Sequence, residues 1–412
     1  MNILIVSCVF LPEPVVSGKS SFSLANYLTQ DGNKVTVLAP YPSRPNVADY
    51  KQCKKKMYYH DNIFEEFRVI RCFSIFSKKS KLLSRFIENI SFGITSSLYL
   101  LISKEIDVIY SNTWPLFASF LITIVAKLKR IPIVTSVQDL YPETLINQNR
   151  LNKKSFFIKG FLSKIDKFCL KSAARCIAIS KGFRSALLKK GVDDKKIKIV
   201  YNWNTSEDFV NQNANINFRL NYGIENEAFL IIYAGNVSSS AGVSEVIKIF
   251  NKIEKTEKDA YLLIAGEGAQ HKSCIELTKE LKSKNIFFHF PWKSYETDSL
   301  LASANMLILP TLDDQALFSV PSKLISYMFS KKPIFAIANK KSDLYKIIEE
   351  SESGWACELP NAEDLLLAAI KSSNQMLSQM GSNAFNYGNK YFNANLNLEK
   401  LANTIYDAKK NI

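Results

Sequence analysis

FLIIYA at Phe229–Ala234 runs into GNVSSSAG at 235–242 and then into VSEVIKIFNKI at Val243–Ile253. An unbroken apolar run of this length reads as a strand buried on both faces. The turn of glycine and serine ends it, and apolar residues at helical spacing follow. Strand, turn and helix in that order form the unit of a parallel sheet covered by helices. Forward of it, residues 261–265, 286–290, 306–309, 333–337 and 354–358 read as strands, and 272–282 as a helix. Backward, strands are expected at 3–9, 34–39, 107–110, 133–137, 176–179 and 197–201, with the first helix over 20–30. The alternation breaks at the polar stretch 203–226, so the 412 residues divide into two α/β halves. The expected domains are 1–204 and 205–381, two doubly wound parallel sheets facing a central cleft, with a helical segment over 382–412 crossing back toward the first.

Charge separates the halves. The chain carries 53 Lys and Arg against 38 Asp and Glu, a net +15. Residues 1–204 hold 32 basic and 14 acidic side chains, whereas 205–412 hold 21 and 24. A one-sided excess fits nucleic acid, an anionic bilayer, a phosphorylated substrate or a solvated helical face. Seven scattered cysteines without C-x-x-C argue for a reducing compartment rather than a disulfide frame or zinc site. MNILIV at the start has no basic leader, so no signal peptide is expected. Residues 89–103 and 108–126 are free of charge, but Asn112 and Pro115 make the second a strand, a turn and a helix rather than a span. Apolar residues around Phe86, Ile90 and Phe92, beside Lys78, Lys79, Lys81 and Arg85, suit contact with a bilayer surface.

Chemistry is expected at the turns that follow strands. Gly18 opens the first helix, where backbone amides can approach a phosphate or sugar. Gly235, Asn236 and the serines after them suit a diphosphate, or else a plain surface loop. Gly266, Glu267 and Gly268 start like a dinucleotide loop but lack its third glycine, which disfavours a dehydrogenase. In VPSKL, Pro321 begins a helix, and Ser322 and Lys323 bring a hydroxyl, an ammonium and free amides to one place, an anion site. QDLYPE follows a strand, so Gln138, Asp139 and Glu143 stand at its carboxyl end, where a carboxylate can orient a hydroxyl or act as base. With three histidines, no D-x-D and no Cys/His cluster, no metal is expected. Asp313 and Asp314 read as a polar loop.

In this order the opening strand–helix turn, DVIYSN, IPIVTSVQDLYPE, KIKIVYNW, YAGN, LLIAGEG and VPSKL resemble glycosyltransferase family 4, retaining enzymes of GT-B fold. They look most like the branch of WbuB-like N-acetylfucosaminyltransferases of bacterial surface polysaccharides. The resemblance implies a UDP-sugar donor, a polyprenyl-diphosphate-linked oligosaccharide acceptor and no cofactor. It also implies a cytoplasmic protein, peripheral on the inner face of the plasma membrane, with no nucleic acid partner. It places Gly235, Asn236, Ser322 and Lys323 on the donor diphosphate, Gly266, Glu267, Gly268 and Trp292 near the base, and Ser326 near the ribose. Gly18 and the QDLYPE turn would line the acceptor side. The sequence also departs from the pattern. Asn236 and Ala241 replace an arginine and a lysine, Phe318 and Ser326 replace two glutamates, and Gln138 stands for a histidine. The alternative is a non-catalytic GT-B relative that binds nucleotide without transfer.

Overall fold

The computed structural model describes residues 1–13, 16–42, 56–75, 82–112, 115–143, 156–203, 216–312, 317 and 320–410. The chain forms two compact units, Met1–Tyr201 with Asn395–Ile412, and Asn202–Ala394.

The first unit is built on strands β1 (Asn2–Val6), β2 (Lys34–Pro40), β3 (Tyr58–Asp61), β4 (Arg68–Cys72), β5 (Val108–Asn112), β6 (Ile133–Val137), β7 (Arg175–Ala178) and β8 (Ile197–Ile199). Its sheet order is β3-β4-β2-β1-β5-β6-β7-β8, parallel except for the β3–β4 pair. Helices α1 (Val16–Gln30), α2 (Leu82–Ile102), α3 (Leu116–Leu128), α4 (Phe156–Ser172) and α5 (Lys181–Lys189) connect the strands. Leu4, Val6, Leu38, Ile109, Ile133 and Ala178 sit in one buried core beneath them.

Two strands here were not expected. β4 carries Arg71, which is 0% exposed, and a buried arginine interrupts the apolar run that marks an inner strand. Its guanidinium is matched to Asp61 of β3 at 2.8 Å, donates to the carbonyls of Leu11 and Pro40, and lies 5.8 Å from the Phe10 ring centre. Helix α1 starts at Val16 rather than at residue 20, so Gly18 lies inside its first turn. Val108–Asn112 form a strand and Leu116–Leu128 a helix, and no helix among the described residues is long and apolar enough to cross a membrane. Phe92, expected on an exposed apolar face, is instead buried in the core. Lys78, Lys79, Lys81, Asp313, Asp314, Phe318 and the side chain of Arg85 lie outside the described residues.

The second unit has β9 (Phe229–Ala234), β10 (Ala260–Ala265), β11 (Ile286–His289), β12 (Met306–Thr311), β13 (Ile334–Ala338) and β14 (Gly354–Cys357). All pairs are parallel, in the order β11-β10-β9-β12-β13-β14. Its helices are α6 (Phe218–Asn221), α7 (Val243–Ile253), α8 (His271–Glu280), α9 (Thr297–Ser303), α10 (Ser322–Phe329), α11 (Asp343–Ser351), α12 (Ala362–Ile370) and α13 (Asn374–Tyr391). This is the order of a dinucleotide-binding sheet, and its direction reverses between β9 and β12, the place where such sheets bind ligands. The closing segment, expected as one helical stretch, is divided between α13 and α14 (Ala394–Lys410). α14 belongs with the first unit: Asn33 donates to Tyr406 at 2.8 Å, and Lys409 pairs with Asp107 at 3.0 Å.

Candidate active site

At the β9–β12 switch point the end of β9, the turn after it and helix α10 close on one another. Tyr327 of α10 anchors the contact, its hydroxyl accepting from the Ala234 amide at 2.8 Å and donating to the Ala234 carbonyl at 3.3 Å. One turn earlier on the same helix, Lys323 reaches back over the end of β9. Its ammonium lies 4.2 Å from the centre of the Tyr233 ring, donates to the Tyr233 hydroxyl, and is 3.5 Å from the Asn236 carbonyl. Tyr233 passes the chain on by donating to that carbonyl at 2.7 Å. Burial with no anion beside it among the described residues pushes the Lys323 ammonium down to about 8. The phenol of Tyr233 is pushed the other way, also by burial.

The glycines explain how a lysine fits here. Gly235 has φ +147°, and a Cβ on it would collide with the Lys323 stem. Gly266, at φ +131°, has its missing Cβ aimed at the Gly235 carbonyl, so the turns after β9 and β10 touch backbone to backbone. The Val237 amide donates to the Glu267 carbonyl at 2.9 Å, and the Val237 carbonyl accepts from Gln270 at 3.0 Å. With Val237 fully buried as well, the 235–242 turn is braced from within. Its hydroxyls are partly self-satisfied too, Ser238 and Ser240 bonding each other at 3.0 Å. The exposed Asn236 and the bare N-terminus of α10, whose N-cap Pro321 supplies no side-chain bond, remain to meet a ligand. Ser322 is the first residue of that helix, and Ser326 lies half-buried one turn on.

Glu267 is exposed beside this cluster, and Gly268 packs against the Val237 carbonyl. Trp292, further along, is half-buried with its Nε1 donor unpartnered among the described residues, as is Nδ1 of His271 at the start of α8. His271 stands between the rings of Phe288 and Phe290, at 5.8 and 5.2 Å. Tyr233, Tyr327 and His271 were not singled out from the sequence. The two tyrosines matter through a strand and a helix that only the topology brings together.

In the first unit the turn after β6 carries the other candidates. Gln138 donates to Ser136 at 3.1 Å, and Asp139 beside it is half-buried. Glu143 is committed to Lys190 at 3.0 Å, and the same ammonium holds the Tyr141 carbonyl and the fully buried Asp166, at 2.8 Å. Burial raises the Asp166 carboxyl to about 6 against the opposing pull of Lys190. The geometry therefore gives Glu143 a partner that fixes the turn and leaves Asp139 nearer the strand end. Gly18 is not a loop residue: its Cα faces the Phe10 backbone, where a Cβ would sit at 3.4 Å.

Residues 18–203 match Glycosyltransferase Family 4, and residues 216–387 match Glycosyl transferases group 1. Each half of the chain is thus similar to a glycosyltransferase domain, and together the two mark it as a glycosyltransferase. This glycosyltransferase is 24% identical over 329 residues to the probable glycosyltransferase WbjE of Pseudomonas aeruginosa, covering 79% of the chain and 81% of the relative. With N-acetyl-alpha-D-glucosaminyl L-malate synthase of Bacillus anthracis it shares 24% identity over 193 residues, 46% of the chain and 48% of that protein. The structure of HepE from Anabaena, solved with UDP and glucose, matches with a TM-score of 0.70 at 15% identity, covering 99% of this chain and 100% of HepE. WaaG, a glycosyltransferase involved in lipopolysaccharide biosynthesis, matches at 0.66 and 15% identity, covering 98% and 99%. The glycosyltransferase thus has the GT-B fold of these neighbours, two parallel-sheet α/β domains.

Proposed function

We propose that this glycosyltransferase moves a sugar from a UDP-linked donor to a polyprenyl-diphosphate-linked oligosaccharide in bacterial surface polysaccharide synthesis, with retention at the anomeric carbon. The carrying observation is Lys323, a half-buried ammonium at the β9–β12 switch point with hydroxyl and carbonyl partners and no anion among the described residues. A donor diphosphate would supply the missing charge, with Gly235, Asn236, Ser322 and the α10 N-terminus around it. The complex of HepE with UDP and glucose supports UDP as the nucleotide. The name of WbjE supports a bacterial glycan, and the sequence motifs favour an N-acetylated 6-deoxyhexose as the sugar. Trp292 and the 266–268 turn are assigned to the base and Ser326 to the ribose.

In the proposed chemistry the C–O bond from sugar to diphosphate breaks as the acceptor hydroxyl attacks from the same face. The departing phosphate takes the acceptor proton. Lys323 and the helix amides stabilise the charge that gathers on that phosphate, without a metal. Asp139, with Gln138 beside it, is assigned to orienting the acceptor, and Lys190 to holding their turn through Glu143. A membrane-borne acceptor puts the protein on the inner face of the plasma membrane. The competing reading, a nucleotide binder without transfer, is favoured by Phe318 and Ser326 standing where the family carries glutamates. Release of UDP and labelling of the acceptor in one assay separate the two.

Calorimetry tests the donor site. Lys323→Ala is expected to weaken UDP binding by about 2–3 kcal/mol with the fold intact. Binding and transfer by the parent chain are expected to persist in excess EDTA. Unchanged UDP affinity in the variant removes the assignment, and a loss in EDTA that Mg²⁺ restores removes metal independence.

A further inference from the structure

We propose that the outer face of helices α2, α3 and α4 docks flat on an anionic lipid bilayer; this rests on the membrane-borne acceptor proposed above and names the surface that reaches it. The three helices pack side by side. α2 meets α3 where Gly93 abuts Ala118 and the Phe86 and Phe117 rings meet at 4.7 Å, and α3 meets α4 where Phe120 and Phe168 meet at 5.5 Å.

Their inner faces are satisfied. On α4, Leu162, Ile165 and Cys169 are buried with Leu116 and Tyr141, and on α2 Phe92 and Leu100 enter the sheet core. Their outer faces are apolar as well. Phe157 is 90% exposed and Phe161 58%, with Ile158 beside them. On α2, Ile87, Ile94, Leu98 and Leu101 recur at helical spacing on one exposed face, and Leu128 ends α3 the same way. A helix that is apolar on opposite sides has two apolar neighbours, and only one of them is the protein core.

Charge decides the second neighbour. Lys164 and Lys171 continue the stripe of Phe157 and Phe161 along α4, and Lys167 and Lys127 are exposed beside it. The three helices contain two acidic residues, Glu88 and Asp166, and Asp166 is buried against Lys190. A second copy of this chain across a two-fold axis would set like charges against like. An anionic headgroup layer accepts both halves of the pattern: phenylalanine and isoleucine enter the acyl boundary, and lysine stems lie along it with their ammonium groups among the phosphates.

Sedimentation with vesicles of phosphatidylcholine, alone or mixed with phosphatidylglycerol, tests the proposal on the full chain. The parent protein is expected to bind the mixed vesicles, and high salt to weaken that binding. Phe157→Ser with Phe161→Ser should lower the partition coefficient at least about tenfold, and Lys164→Glu with Lys167→Glu about fivefold per residue. Melting curves and UDP affinity, which reads the other unit, should match the parent in both pairs. If the parent binds and both pairs bind equally well, this face is wrong while the membrane reading stands. If the parent binds no vesicle, both fall. Equal binding to neutral and mixed vesicles overturns the anionic partner, and a dimer in light scattering that the phenylalanine pair dissolves assigns the face to a second copy.

Discussion

Each unit packs a basic side chain against its sheet, Arg71 fully buried in the first and Lys323 half-buried in the second. Arg71 is fully enclosed and fully answered: a carboxylate at 2.8 Å, two carbonyls and a phenylalanine ring. Lys190 in the same unit is answered by Asp166, Glu143 and a carbonyl. Lys323 has a phenol, a carbonyl and a ring face, and its proton affinity is lowered accordingly. A buried cation that meets its anion inside the protein holds the fold together. A half-buried cation that meets none among the described residues, at the end of a strand, is the one that the proposed donor diphosphate would answer.

The comparison can be broken by mutation, and the largest effect is expected at Arg71. Arg71→Ala takes the guanidinium away from the buried Asp61 and should cost about 3–5 kcal/mol of stability, seen in denaturant unfolding, with UDP affinity of the folded protein unchanged. A UDP affinity that falls with it would mean that Arg71 also serves the donor. Lys323 should behave in the opposite sense. Because the folded lysine loses its proton near pH 8 and the unfolded one near 10.5, the unfolded chain binds more protons between those values, so stability rises with pH there. UDP, needing the charged form, should bind about tenfold more weakly at pH 9 than at pH 7. Lys323→Met should raise Tm near pH 7, flatten both pH slopes and lose about 2–3 kcal/mol of UDP binding. A variant that melts lower would put Lys323 in the structural class with Arg71. The smallest effect is expected from Ser326→Ala, below about 1 kcal/mol on UDP and nothing on pyrophosphate. Equal losses for the two ligands would move Ser326 from the ribose to the phosphates.

What the sequence made legible follows the same division. β6, β9 and α7 have the limits read from the apolar runs, because each is buried on a sheet or packs one apolar stripe. β3 and β4 escaped notice because Arg71 and Asp61 cancel within the core, and a local pattern cannot show a pair ten residues apart on neighbouring strands. α1 begins earlier than expected because Gly18, read as a loop residue, is needed where the helix touches the Phe10 backbone. At the candidate site, VPSKL was legible as a helix start carrying a lysine, and the structure brings that lysine to the end of β9. Tyr233 had no such signal, being an aromatic residue in a strand of aromatic and aliphatic ones, and its bond to Lys323 spans 90 positions. The exposed phenylalanines of α4 were hidden for a related reason: a helix apolar on both sides reads like any buried helix.

Helix α14 has a consequence for how the protein is made. The base of the first sheet is fastened through Asp31, Asn33 and Asp107 to Tyr406 and Lys409. Those fastenings are delivered only after the whole of Asn202–Ala394 has been synthesised. The second unit comes out of the ribosome as one uninterrupted segment and can fold on emergence, while the first must wait with part of its surface uncovered. During translation the half that appears first is therefore the last to be finished, and a chaperone that shelters nascent chains would find its target in residues 1–201.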